Sequence, residues 1–160
     1  MHSDGYFDER IASKYDSDVE SFNYEAVNPV VDFLAELIGR GSALEFGIGT
    51  GRIALPLAIR GIEVHGIDIS QPMLAKLAEK TGSERIQVTQ GDFANTSCRR
   101  TFSLVYLIFN TIMNLTTQDE QIRCFQNAAM HLNPGGCYVI EVKVPALQKI
   151  PHGETKHVFD

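Results

Sequence analysis

Leu44-Glu45-Phe46-Gly47-Ile48-Gly49-Thr50-Gly51-Arg52 is the stretch on which the fold turns. Ala43 to Phe46 reads as a short buried strand, and the glycines at alternate positions 47, 49 and 51 form a loop after it. Glycines there permit a tight turn and let a ligand come close to the backbone. A helix follows over 52–60, carrying Pro56 in its first turns, and its start offers unpaired N–H groups. Ile62 to Ile67 is a second strand, with Asp68 at its end, twenty-one residues after Gly47. A carboxylate at that place can accept both hydroxyls of a ribose.

Outward from this unit the same alternation continues. Asn28-Pro29 reads as a helix start, followed by Val30, Val31, Phe33, Leu34, Leu37 and Ile38 at helical spacing and a stop at Gly39 or Gly41. Ser70 caps a helix carrying Met73, Leu74, Leu77 and Ala78, which Gly82 ends. Ile86–Thr89 is a third strand, and Phe102–Phe109 is a fourth, apolar enough to be covered on both faces. Thr117-Gln118-Asp119-Glu120 matches a capping box and opens a helix with Ile122, Phe125, Ala129 and Leu132 on one face. Asn133-Pro134-Gly135-Gly136 is a turn, and Cys137–Val144 is a fifth strand. Strands alternating with helices imply an α/β, Rossmann-like, doubly wound parallel sheet with its ligand beyond the carboxyl ends of the strands.

Composition narrows the function. The chain has 160 residues, 44% hydrophobic and 21% charged, with a net charge of −6, which fits one globular domain without a nucleic-acid-binding face. The longest apolar run, Leu104 to Phe109, is far too short for a membrane span. No secretory signal is read at the start, and Cys98, Cys124 and Cys137 have no metal-site spacing, so a reducing cytoplasm and no metal are expected. Residues 1–27 read as an N-terminal helical cap, 28–144 as the ligand-binding domain and 145–160 as a tail.

Two residues define the ligand. A nicotinamide fingerprint carries a third glycine where this chain has Arg52, and Glu45 stands two residues before the first glycine. A carboxylate beside a pyrophosphate is repulsive; beside a cation it is favourable. The implied ligand is nucleoside-like and positively charged, a description that S-adenosylmethionine meets.

With these motifs in order, the sequence resembles the class I S-adenosylmethionine-dependent methyltransferases over about Asn28 to Val144. LEFGIGTGR at 44–52 resembles the family's first motif and GIDIS at 66–70 its acidic second motif. QGDF at 90–93, FSLVYLIFNTIMNL at 102–115 and LNPGGCYVIEV at 132–142 resemble the later ones. The resemblance implies that Gly47 and Gly49 lie against the methionine part and that Glu45 holds its amino group, directly or through water. It places Asp68 on the ribose and Ile69 and Met73 around the adenine. Asp92 accepts from the adenine amino group, and the Phe93 N–H donates to the ring. The Phe109-Asn110 backbone lies near the amino group and the methyl to be transferred. Tyr15 resembles the N-terminal tyrosine that closes over the cofactor in small-molecule members. Plainer readings stand beside these roles: Asp68 as a helix cap, Asp92 as a turn residue, Met73 as core, Tyr15 as a docking aromatic, and His65 and His131 as structural, the latter a cation suited to a helix end. His152 and His157 lie in the tail, near where acceptor-side residues could fall.

The implied reaction is in-line methyl transfer, which needs no dedicated base for an amine or carboxylate acceptor. Asn110-Thr111-Ile112-Met113 lacks the Asn/Asp-Pro-Pro-aromatic motif of enzymes acting on nucleobases and proteins, which points to a small-molecule acceptor. The family fold resembles a seven-stranded sheet of order 3-2-1-4-5-7-6. Five strands are counted here, in order 3-2-1-4-5, so the last two are expected to be lacking. The fifth strand is then an open edge through which the chain could self-associate. A piece of a longer protein is therefore expected, and the alternative function is a cofactor-binding fragment or interaction module without turnover.

Overall fold

The computed structural model describes residues 8–15 and 24–143. The tail at 145–160, with His152 and His157, lies outside the described residues, as does most of the N-terminal region apart from helix α1 (Glu9–Tyr15). Five parallel strands, β1 (Ser42–Phe46), β2 (Glu63–Asp68), β3 (Ile86–Gln90), β4 (Phe102–Leu107) and β5 (Leu132–Ile140), form one sheet of order β3-β2-β1-β4-β5. The order agrees with the expectation.

Side-chain alternation on the central strand builds two cores. Ala43 and, on β4, Leu104 and Tyr106 face one layer with helices α2 (Tyr24–Ile38) and α3 (Ala54–Ile59). Leu44, Phe46, Val105 and Leu107 face the other, against α5 (Gln118–Met130). Between β2 and β3 runs α4 (Gln71–Ala78), capped as expected: the Met73 N–H donates to Ser70 Oγ at 3.3 Å. The capping box at Thr117 and Glu120 is also present, with both reciprocal bonds made.

Three expectations are corrected. Helix α2 starts at Tyr24, so Pro29 lies inside it. Proline there removes one intrahelical hydrogen bond, but the buried stripe is Val27, Val31, Leu34 and Ile38, which begins one residue before Asn28 and draws the helix back with it. Phe33 and Leu37 stay exposed. On α5 the buried residues are Cys124, Asn127 and Ala128, while Ile122 and Phe125 are 47% and 50% exposed. Small Cys and Ala let the helix approach the sheet closely, and Phe125 instead meets Tyr138 of β5 edge-on, with ring centroids 5.4 Å apart. Strand β5 begins at Leu132 and ends at Ile140; the register jumps from Leu132 opposite Phe102 to Cys137 opposite Leu104, so the expected turn at 133–136 is a bulge within the strand's span.

His131 is held by hydrogen bonds at both ring nitrogens. Its Nδ1 lies 2.7 Å from the Asn127 carbonyl, and its Nε2 accepts from the Cys98 N–H at 3.1 Å, which sets the Nδ1–H tautomer. His65 sits 2.8 Å from Thr89 Oγ1, and burial, followed by the nearby Arg100, lowers its pKa. Cys98, Cys124 and Cys137 are free thiols. Among the described residues no helix is long and apolar enough to cross a membrane, and no group of acids, histidines and cysteines could hold a metal ion.

Candidate functional site

The carboxyl ends of β1, β2 and β3 are stitched together by backbone and side chain. The N–H groups of Gly47 and Ile48 both donate to the Ile67 carbonyl, at 2.8 and 3.2 Å, which folds the glycine loop back over β2. The Gly91 N–H donates to the Asp68 carbonyl at 2.8 Å, tying the exit of β3 to the same point. Asp68 completes the junction: its Oδ2 accepts from the Gly49 N–H at 2.7 Å and its Oδ1 from the Ser70 N–H at 2.8 Å. It therefore both secures the following helix and reaches across to the loop.

Beyond these ends lies a cavity of about 460 Å³, within the range of small-molecule sites. Of the residues expected at the site, Tyr15, Gly47, Gly49, Asp68, Ile69, Met73, Asp92 and Phe93 line it together. Glu45, Phe109 and Asn110 are not among the lining residues. The remaining lining residues, which the motif reading does not single out, are Thr111 and Met113 to Thr116. Phe109 and Asn110 both adopt positive φ, 56° and 60°, and turn the chain so that Thr111 reaches the cavity instead.

Thr111 packs its methyl against the backbone of the glycine loop. Gly47 has φ +69°, and a Cβ on it would stand 2.8 Å from Thr111 Cγ2. The charged residues lining the cavity are Asp68 and Asp92, with no Lys or Arg among the described lining residues. That sign suits a cation and disfavours a pyrophosphate. Asp92 also serves its turn: Oδ1 accepts from the Ala94 N–H at 2.8 Å and Oδ2 from Asn95 Nδ2 at 2.6 Å.

Phe93 stacks on Phe46, with centroids 5.8 Å apart, and its carbonyl accepts from Asn127 Nδ2 at 2.7 Å. The same amide donates to the Thr96 carbonyl at 2.9 Å. Asn127 thus holds the 93–96 loop from α5. Its only sequence signal is an amide standing among the small residues of that helix.

Glu45 lies beneath the glycine loop. Its neighbours in register are Gly66 on β2 and Tyr106 on β4, all three on the same face. Tyr106 donates its hydroxyl to Glu45 Oε2 at 2.9 Å. Burial pushes the Glu45 carboxyl up to about 8, the hydrogen bond from Tyr106 opposes that rise, and the charge of Asp68 adds to it. Burial and the same partner raise Tyr106 as well. Gly66 leaves the space that Ile48 occupies: a Cβ there would be 2.7 Å from Ile48 Cβ and Cγ2. The motif reading gives Gly66 no role of its own. Gly66→Val is expected to lower stability by about 2–3 kcal/mol through overpacking and to weaken ligand binding by displacing Ile48, read from urea unfolding and ligand titration together. Unaltered stability would show that Ile48 is free to move.

A parallel sheet of this order, with a glycine loop after β1 and acids at the ends of β2 and β3, defines the class I S-adenosylmethionine-dependent methyltransferase fold. A family model described as "Methyltransferase domain" matches residues 43–136, and the chain belongs to that family. It is 31% identical over 117 residues to the cypemycin N-terminal methyltransferase of a Streptomyces species, a match spanning 73% of this chain and 48% of the relative. It is 30% identical over 133 residues to the putative methyltransferase YqeM of Bacillus subtilis, 82% of this chain and 53% of that one. The CcbJ methyltransferase from Streptomyces caelestis superposes with a TM-score of 0.78 at 37% identity, covering 88% of this chain and 58% of that chain. The glycopeptide N-methyltransferase MtfA does so at 0.62 and 25% identity, covering 70% and 51%, and has been solved with S-adenosylmethionine and S-adenosylhomocysteine. The chain spans about half the length of the curated relatives it matches.

Proposed function

We propose that the cavity binds S-adenosylmethionine and that the chain takes part in methyl transfer to the amine of a small molecule or peptide. The observation that carries the cofactor reading is Asp68: a buried carboxylate tied to the glycine loop by the Gly49 N–H, facing a cavity whose lining charges, among the described residues, are acidic. The residues fit the group, since the lining sets two acids, Asp68 and Asp92, beside the apolar Ile69, Met73 and Phe93, as a nucleoside bearing a positive charge requires. Asp68 is positioned to accept the ribose hydroxyls, Met73 and Ile69 to enclose the adenine, and Asp92 and Phe93 to meet its edge. Glu45, protonated in the folded chain below about pH 8, lies beneath the loop where a cationic amino group would rest and would ionise to meet it.

When bound, S-adenosylmethionine supplies a methyl on a sulfonium, already activated for in-line displacement. What the chain adds is placement, an effect that reaches roughly 7–11 kcal/mol in favourable cases. Both cavity carboxylates already accept hydrogen bonds from the protein. An acceptor that is itself a nucleophile, such as an amine, suits such a site. The names of the cypemycin N-terminal methyltransferase and of MtfA, an N-methyltransferase, support the same acceptor class.

The test is calorimetric titration of the chain with S-adenosylhomocysteine, then incubation with labelled S-adenosylmethionine and a panel of amines and peptides with free N-termini. Saturable one-site binding and label on an amine are expected. A folded chain that does not bind overturns the cofactor reading. Binding with label on hydroxyl acceptors alone overturns the amine. Binding without any transfer favours the cofactor-binding module instead.

A further inference from the structure

We propose that Arg52 is a positioning residue that fastens helix α1 over the cavity, its guanidinium held between the rings of Phe109 and Tyr15. Arg52 Cζ lies 4.9 Å from the Phe109 ring centroid and 5.3 Å from that of Tyr15. A planar guanidinium stacks on aromatic faces in a way an ammonium does not. Three separate segments meet at this point: the end of the glycine loop, the turn after β4 and the last residue of α1. Of the three residues only Tyr15 lines the cavity, so Arg52 acts through it.

Two further observations point the same way. First, α1 has seven residues, and a helix shorter than about 12–15 residues is marginal on its own. Its buried residue is Ala12, so Tyr15 needs an anchor of its own to keep its place at the cavity wall. Second, Phe109 is held in the left-handed region at φ 56°, a conformation that bulky residues adopt only when their surroundings enforce it. The enforcement is visible: the Phe109 N–H donates to Glu141 Oε2 at 2.9 Å, and Asn110 Oδ1 accepts from the Lys143 N–H at 3.1 Å. The turn after β4 is thus locked to the segment after β5 with the Phe109 ring presented to Arg52. Arg52 is also the position where a dinucleotide fingerprint carries glycine, which could not bridge two rings.

The inference rests on the cofactor reading, and its test separates the two. S-adenosylhomocysteine affinity is measured for the wild-type chain and for Arg52→Met, Tyr15→Leu, the double variant and Tyr15→Phe, each checked for folding by thermal melt. Arg52→Met and Tyr15→Leu are each expected to weaken binding by about tenfold, the scale of a partly desolvated cation–π contact. The double variant should be no weaker than the worse single variant, and Tyr15→Phe, which keeps the ring face, should stay within about twofold of wild type. Where Arg52→Met does not fold, Phe109→Leu takes its place with the same expectation. Effects of Arg52 and Tyr15 that multiply in the double variant, or an Arg52 variant that binds like wild type, overturn the clasp while leaving the cofactor site standing. A folded wild type that does not bind overturns the site and the clasp with it.

Discussion

Asp68→Ala is expected to abolish measurable S-adenosylhomocysteine binding, a loss of about 100-fold or more, in a protein that still folds. The carboxylate accepts the Gly49 and Ser70 N–H groups at 2.7 and 2.8 Å in a site where Asp68 is 9% exposed. Hydrogen bonds to a charged group are worth roughly 1.5–3 kcal/mol, and a buried donor left without its partner bears its desolvation cost. Removing the carboxylate therefore strips the ligand of its acceptor and frees the glycine loop at the same time. Stability should fall by about 2–4 kcal/mol on these grounds, read from urea unfolding. Asp68→Asn separates the two effects. Its amide oxygen can serve one N–H but not both, so stability should lie between wild type and Asp68→Ala. Affinity should still fall sharply, because the acceptor is no longer charged. Wild-type affinity in a folded Asp68→Ala would remove the ligand from this end of β2.

Glu45→Gln is expected to make the protein more stable at alkaline pH and to change how the ligand binds. In the folded chain the carboxyl is pushed up to about 8 from an ordinary value of 4.5, chiefly by burial. Below about pH 4.5 it is protonated whether the chain is folded or not, and it imposes no penalty. Between 4.5 and 8 the unfolded chain releases the proton while the folded chain keeps it, so stability falls as pH rises. Above about pH 8 the loss is complete, on the order of 5 kcal/mol. The glutamine side chain keeps an oxygen for the Tyr106 hydroxyl and cannot ionise. The stability difference between wild type and Glu45→Gln should therefore move in favour of the variant across that window, and curves that stay parallel would contradict the buried, raised carboxyl. The same group gives a linkage to the ligand. A cationic amino group above Glu45 favours the carboxylate, so the wild type should release a proton on binding S-adenosylhomocysteine near neutral pH. Calorimetry in buffers of different ionisation enthalpy measures that proton directly. Its persistence in Glu45→Gln would assign it to another group.

These expectations show where reading along the chain suffices. The glycine loop, the Ser70 cap, the capping box at Thr117 and the strand–helix alternation each depend on a few adjacent residues, and each stands in the structure where its residues are. Two helices depart from that reading for one reason. Hydrophobicity points the buried face of α5 to Ile122 and Phe125, whereas close packing selects Cys124 and Ala128. The Asn28-Pro29 signal points to a helix start, whereas burial of Val27 overrides it in α2. In both cases the deciding energy is contact with the sheet, and local propensity yields to it.

The α/β class and the acid-and-glycine character of the site are legible along the chain, because turn geometry, capping and hydrophobic period are short-range constraints. The ordered motifs add the family and, with it, the strand order. Where each acid stands is decided by the assembled fold. Asp68 faces the cavity while Glu45 lies sealed beneath the loop against Tyr106, a partner 61 residues away in the chain. That pairing follows from the register of β1 between β2 and β4, which aligns Gly66, Glu45 and Tyr106 on one face. The same holds for Arg52 between Phe109 and Tyr15 and for Asn127 beneath Phe93. Such contacts are set by how strands and helices stack, and no local pattern in the chain encodes them.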